Sequence, residues 1–407
     1  MQTTQNKGSF FGLGIAPGLL QVVGSLGFTV PTPIQEKAIP IAIGGTDVVG
    51  IAQTGTGKTL AFGIPMVQRL AQGAGKGLVL VPTRELAVQI NEDLAKFVRA
   101  CKLRTAVVIG GESMHRQIRQ LRERPRIIIA TPGRLNDLIE QRQVRLDDVG
   151  ILVLDEADRM LDMGFLPQIE RIIKLIPKKR QTMLFSATMQ PSVLKIASSY
   201  MHLPVRTEIA PSGTTIDLVT QELYFVQKGL KDFLLGQLLT QYTGSVLMFV
   251  RTKRGARRVA RSLRSMGHAA AEIHADRTQA QRTEAMHGFK TGKFRILVAT
   301  DIAARGIDVT DIELVINYDL PDETGNYVHR IGRTGRAGKR GHAIAFATPD
   351  QRDEVKAIER FIRAAIPVSR HSQIPTEAPP APAPKAVLAR RSPFRKPVRA
   401  SRRRFGR

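Results

Sequence analysis

The chain has a single cysteine, Cys101, in 407 residues. One thiol excludes an intramolecular disulfide framework and a cysteine-based zinc site, and it suits a reducing compartment. Long apolar runs are missing too. Gly77–Val81, Arg126–Ala130 and Ile151–Leu154 have the length of strands, far short of the ~20 residues that span a bilayer. The opening residues, MQTTQNKGSFF, lack the charged-then-apolar order of a secretory signal. These absences predict a cytoplasmic chain with no membrane association. Acidic residues are scarce as well: 35 Asp and Glu stand against 61 Lys and Arg, a net charge of +26. Such a surplus suits a polyanionic partner, because basic surface gains affinity by releasing counterions condensed on phosphates. Charge does not say which polyanion, and a basic tail on an ordinary soluble protein gives the same sum.

What is present reads as α/β. The length exceeds one ordinary core and fits two domains and a tail, and 43% hydrophobic residues can fill both cores. Short apolar runs alternate with longer amphipathic stretches, the pattern of βα units around parallel sheets. The first half offers strands at Asp47–Ala52, Gly77–Val81, Thr105–Ile109, Arg126–Ala130, Ile151–Leu154 and Gln181–Phe185. The second offers Leu218–Val226, Ser245–Val250, Ala269–Ile273, Arg295–Ala299, Leu314–Tyr318 and Gly341–Ala347. The two halves meet around Thr207–Ile216, which reads as a flexible connection. From Arg370 the chain holds seven prolines, eleven Lys or Arg and one acid, Glu377. That segment cannot bury enough apolar surface to offset the entropy of folding, so it is expected to be a disordered basic tail.

Two segments carry phosphate chemistry. Ala52-Gln-Thr-Gly-Thr-Gly-Lys-Thr59 follows a strand and opens a helix. In such a loop the backbone N–H groups of Thr54, Gly55, Thr56 and Gly57 can turn toward one centre, where the helix N-terminus adds positive potential. Lys58 would reach the outer phosphates and Thr59 would hold magnesium. Ile151-Leu-Val-Leu-Asp-Glu-Ala-Asp158 ends a buried strand in carboxylates. There Asp155 suits the metal, through water, and Glu156 suits a base that deprotonates the attacking water. An acidic helix N-terminus favoured by the macrodipole is the plainer reading of the second segment taken alone.

Asp155-Glu-Ala-Asp158 spells the signature of the DEAD-box RNA helicases, and the resemblance extends along nearly the whole core. Gly27-Phe-Thr-Val-Pro-Thr-Pro-Ile-Gln35 resembles that family's adenine-reading Q motif, with Phe10 seventeen residues before Gly27 as the isolated aromatic that stacks on the base. Gln35 offers both a donor and an acceptor to an adenine edge. The resemblance implies two RecA-like parallel-sheet lobes in tandem, with ATP and Mg2+ as ligands. It gives Arg84, Gly111, Thr131, Arg134 and Thr300 to the backbone of a single RNA strand, so little base preference follows. It gives Ser186 and Thr188 to coupling, and Asp308 to the ribose hydroxyls.

In Tyr327-Val-His-Arg-Ile-Gly-Arg-Thr-Gly-Arg336, arginines recur every third residue. Arginine's planar fork suits multiply charged phosphate. By resemblance Arg333 and Arg336 are fingers that reach the terminal phosphate on closure, a contribution of about 10³–10⁵ in rate, and His329 couples them to the first lobe. A basic RNA-binding patch is the alternative. Met248-Phe-Val-Arg-Thr252 and Gln279-Ala-Gln-Arg282 resemble further motifs, whereas His274-Ala275-Asp276 has alanine where the family has glycine.

The resulting division is 1–36 as a Q-motif region, 37–207 as the ATP-binding lobe, 208–216 as linker, 217–369 as the second lobe and 370–407 as the tail. The basic tail and the lack of extra domains resemble the bacterial RhlE-like group. Family association points to ribosome assembly or RNA turnover, with ribosome precursors or RNA-decay enzymes as partners and a monomeric state. The rival readings are an ATP-dependent RNA clamp and a DNA-directed motor. A GTPase is disfavoured, because no Asn-Lys-x-Asp guanine reader is present.

Overall fold

A computed structural model describes residues 8–52, 55–209, 219–301, 312–335 and 341–369. Thr54, Asp308, Arg336, most of the 208–216 linker and the 370–407 tail lie outside the described residues.

The first sheet contains β1 (Val48–Ile51), β2 (Lys76–Leu80), β3 (Thr105–Val108), β4 (Ile127–Ala130), β5 (Val149–Leu154), β6 (Gln181–Ser186) and β7 (Val205–Glu208), in the order β3-β4-β2-β5-β6-β1-β7. The second contains β8 (Val219–Phe225), β9 (Val246–Phe249), β10 (Ala270–Ile273), β11 (Ile296–Ala299), β12 (Leu314–Asn317) and β13 (Gly341–Ala347), in the order β10-β11-β9-β12-β13-β8. Every strand pairing in both sheets is parallel.

Parallel sheets need helices on both faces, which is why these strands read as unbroken apolar runs rather than alternations. β5 shows the consequence. Ile151 and Val153 enter the core packed with the helix Lys58–Gln72, while Leu152 and Leu154 enter the opposite core with Leu135 and Ile172. The expected strands are all present to within one or two residues at their ends, but the sequence did not reveal β7. It pairs only with β1 and leaves Val205, Arg206 and Glu208 exposed, so it carries no apolar run to mark it. The segment read as the start of a flexible connection is therefore an edge strand as far as Glu208, and Thr207 is buried. The helix Pro33–Ile43 crosses the boundary drawn at residue 37, and Phe10, Ile15, Leu19 and Ile34 belong to the core of the first sheet.

Parallel strands send their C-terminal ends to one edge, where α/β sheets bind ligands. The order β5-β6-β1 gathers the loops at 52–59, 155–158 and 186–188, and the order β3-β4-β2 gathers those at 83–84, 110–111 and 131.

In the second sheet one buried cation organises the matching edge. Arg330, 2% exposed, lies on the helix Thr324–Ile331. Its Nε and Nη2 donate to the two carboxylate oxygens of Asp301 at 2.5 and 2.6 Å. Its Nη1 donates to Asn317 Oδ1 at 2.9 Å and to the carbonyl of Asp319 at 2.6 Å, and the guanidinium stacks 5.1 Å from the Phe249 ring centre. This arginine therefore fastens the helix to the ends of β9, β11 and β12. Breaking a buried pair of this kind costs about 3–5 kcal/mol, so Arg330→Met should lose that much in urea unfolding of the whole chain. A loss below about 1 kcal/mol would show that water or another cation replaces it.

Candidate active site

The phosphate-type loop is fixed from below. Gly57 adopts φ +89°, a left-handed conformation open to glycine, and a Cβ there would run into the Gln35 amide. Gln35 is buried; its Oε1 accepts from the Thr32 N–H at 2.9 Å and its Nε2 donates to the Gly57 carbonyl at 3.1 Å. Each end of the amide therefore already has a protein partner, with one N–H and one lone pair to spare. Gln35 thus ties the helix Pro33–Ile43 to the loop.

A cavity of about 520 Å³ opens above, lined by Gln35, Gly55, Gly57, Lys58, Thr59, Asp155 and Glu156. Phe28 lines it as well, whereas Phe10 is 4% exposed within the core and reaches only a neighbouring cavity that it shares with Phe28.

The charges in this cleft are buried. Lys58 is 6% exposed and its ammonium makes no hydrogen bond. Asp155, 2% exposed, accepts the Glu156 N–H at 2.9 Å on Oδ1. Burial pushes its carboxyl up to about 6, with Lys58 opposing and Glu156 adding to the rise. For Glu156 burial also acts upward, but Arg159, Lys58, Arg333 and His329 outweigh it and hold the group down at about 2. Glu156 sits at φ 51°, ψ 50°, a strained conformation for a non-glycine residue that recurs at functional sites. An ammonium without a partner beside a carboxylate short of cations is the donor set that a metal–polyphosphate would complete.

Asp158 joins this cluster to the next strand. Its Oδ2 accepts from the N–H groups of Ala187 and Thr188 at 3.1 and 2.9 Å and from the Thr188 hydroxyl at 2.9 Å. Its own N–H donates to Ser186 Oγ at 3.3 Å. The sequence placed Ser186 and Thr188 near the acids without showing that Asp158 is the acid they bind.

The second sheet contributes from the turn after Ile331. Arg333 is 2% exposed and within electrostatic reach of Glu156. His329 is half-buried, with an Nδ1 that has no partner. Burial and then Arg159 hold it down at about 4, against the pull of Asp158 and Glu156, so it is neutral at pH 7.

The residues given to a nucleic-acid backbone gather at the other end of the first sheet. The Arg84 guanidinium lies over Gly110 and Gly111, and Gly111 has φ +78°. Arg134 donates to the Glu112 carbonyl at 3.1 Å, and Thr131 precedes the helix Pro132–Glu140. Burial, then Arg282, lowers the Arg84 pKa; Glu85 opposes and Arg134 adds to the lowering. Arg282, on the helix Gln279–Lys290, pairs with Glu85 at 2.6 Å with both side chains at most 10% exposed. Three guanidiniums converging from both sheets suit an anionic chain. Thr300 closes β11, its N–H bonded to the Ile273 carbonyl at 3.3 Å. In the second sheet His274 is wholly buried and accepts the Asp276 N–H at 3.3 Å on Nδ1, while Asp276 pairs with Lys253 and Arg257. No helix among the described residues is long and apolar enough to cross a membrane.

Comparison with known proteins identifies the family. The profile of the DEAD/DEAH box helicases matches residues 32–196, and that of the helicase conserved C-terminal domain matches residues 229–338. The chain is 44% identical over 353 residues to the ATP-dependent RNA helicase CshA of Listeria monocytogenes, covering 86% of this chain and 68% of that one. It is 43% identical over 363 residues to the ATP-dependent rRNA helicase RRP3 of Debaryomyces hansenii, covering 88% and 76%. Among solved structures it resembles S. cerevisiae Dbp5 bound to RNA and ADP BeF3, with TM-score 0.79, 31% identity and coverage of 89% and 95%. A Dbp5 variant bound to Nup159, Gle1, IP6 and ADP gives 0.59 at 30% identity, with coverage of 88% and 95%.

The Asp155 carboxyl, raised from 3.8 to about 6, favours its neutral form in the folded chain. Its stabilising contribution is complete below about pH 3.8 and is lost as pH rises through about 6. At pH 7.5, without nucleotide or metal, the ionised group therefore costs on the order of 3 kcal/mol. Asp155→Asn should melt higher than wild type at about pH 7.5 in EDTA, and the gap should close near pH 4. Identical melting at both values would mean that Asp155 ionises freely.

Proposed function

Because this chain belongs to the DEAD/DEAH box helicase family, we propose that it is an ATP-dependent RNA helicase, with hydrolysis at the Lys58–Asp155–Glu156 cleft and RNA held across both sheets. The observation that carries this reading is the buried Lys58 ammonium with no hydrogen-bond partner, facing Asp155 and Glu156 from the first sheet with Arg333 brought in from the second.

The chemistry follows from these placements. The amides opening the helix Lys58–Gln72 and the Lys58 ammonium bind the phosphate chain. Gln35 meets the base with the hydrogen-bonding capacity that its contacts to Thr32 and Gly57 leave over, Phe10 is the aromatic given to stacking on it, and Phe28 lines the same cavity. Thr59 and Asp155, the latter through water, would hold magnesium, which when bound offsets the negative charge of the outer phosphates. Glu156 is ionised at neutral pH and orients and deprotonates the attacking water. Arg333 brings positive charge to the terminal phosphate, and Arg336 is its proposed companion. Asp158 reports the state of this centre to Ser186 and Thr188, and through them to the edge where Arg84, Gly111, Thr131, Arg134 and Thr300 grip the backbone.

Residues 37–207 and 217–369 act as the two lobes, and closing them on both ligands strains and locally opens a short duplex. The 370–407 tail, with eleven cationic residues and one acidic, adds sequence-independent affinity. The RhlE-like bacterial group, a cytoplasmic setting, a monomeric state, and ribosome precursors or RNA-decay enzymes as partners complete the proposal.

Glu156→Gln should bind ATP and RNA as wild type does but lose about 10²–10⁴ in RNA-stimulated hydrolysis. Displacement of a strand from a short RNA duplex by the wild-type chain distinguishes a helicase from a clamp, and stimulation by RNA but not DNA distinguishes it from a DNA motor. Turnover by Glu156→Gln at the wild-type rate would remove Glu156 from this role. Deleting residues 370–407 should weaken RNA binding and flatten its salt dependence while basal ATPase persists.

A further inference from the structure

Glu156 faces two guanidiniums of different origin. Arg159, one turn along the helix Ala157–Asp162, donates from Nη1 to Glu156 Oε2 at 2.8 Å, with both side chains only 3% exposed. Its backbone N–H donates to Asp158 Oδ1 at 3.0 Å, which fixes the base of the side chain. Arg333 approaches the same carboxylate from the other sheet. Arg159 is tied to Glu156 by the chain itself, whereas Arg333 arrives only with the second lobe. A buried carboxylate must have its charge answered. Arg159 is the partner that the first lobe supplies to this carboxylate through a direct ion pair.

We propose that Arg159 is a positioning residue for hydrolysis: its ion pair holds the Glu156 carboxylate in place from within the first lobe. The inference rests on the helicase reading above. It assigns Arg159 no contact with nucleotide, so its removal acts on turnover and not on nucleotide affinity.

The test uses the full chain and RNA-stimulated ATPase. Arg159→Met removes the charge and the fork. Arg159→Lys keeps a compensating charge, so that the fold survives, but offers a point charge in place of the fork. Both variants should lose about 10–100-fold in kcat, the scale of a misplaced catalytic group, with KM for ATP within about threefold of wild type. Both should still bind single-stranded RNA in the presence of ADP–beryllium fluoride. Wild-type kcat in Arg159→Lys would overturn the inference. It would also be overturned if Arg159→Met proved unstable but its folded fraction, counted by titration with RNA and the analogue, turned over at the wild-type rate. That result would make Arg159 a structural residue only. Absence of RNA-stimulated ATPase in the wild-type chain would refute the helicase reading itself, and this inference with it.

Discussion

The arrangement depends on balancing charge among side chains that are almost wholly buried. Asp155, Glu156 and Asp158 are 2%, 2% and 1% exposed, and Lys58, Arg159 and Arg333 are 6%, 3% and 2% exposed. Three carboxylates therefore face three cations, with a neutral His329 beside them. Isolated charges at such depth would each cost several kcal/mol, so the six are stable only as a set. The set is not evenly shared: Glu156 is held strongly acidic while Asp155 is short of positive charge. A polyphosphate entering against Lys58 brings further negative charge and must bring or recruit cations. That imbalance orders the site for a ligand with its own counterion, and makes a cation from the second sheet useful at the moment of chemistry.

The parallel sheets were legible because burial on both faces turns strands into apolar runs, and the glycine loop and the acidic strand end were legible because their chemistry is local. Contacts between distant segments were less so. Asp158 stands in the acidic motif, yet its partners Ser186 and Thr188 lie 28 and 30 residues away. Only the adjacency of β5 and β6 joins them. Arg330, Arg333 and Arg336 look equivalent as a three-residue repeat. The helix, however, ends at Ile331, so Arg330 is built into the second lobe against Asp301 while Arg333 lies in the turn beyond. Phe10 and Phe28 differ in a way that spacing did not expose, one inside the core and one at the cavity wall. The edge strand β7 stayed hidden because a strand with one neighbour and three exposed residues has no apolar signature.

The two ends of the first sheet are joined by rigid elements rather than by a loop that must fold. β5 and β6 run side by side, with Leu154 opposite Leu184, and the residues that follow each strand carry Asp155–Asp158 and Ser186–Thr188. The hydrogen bonds of Asp158, over distances near 3 Å, thus tie the acidic cluster directly to the segment after β6. The pair of Arg282 with Glu85 is a second physical link, since it spans the two sheets next to Arg84. Coupling in the strict sense needs an element with two arrangements that both ligands bias. The candidate is the junction of the sheets. Nucleotide phosphates and an RNA backbone would each compete there for guanidiniums that now answer protein carboxylates: Arg333 at Glu156 and Arg282 at Glu85. Under the proposed function, each ligand would alter the contacts between the two sheets, and that shared dependence would let binding of one favour binding of the other.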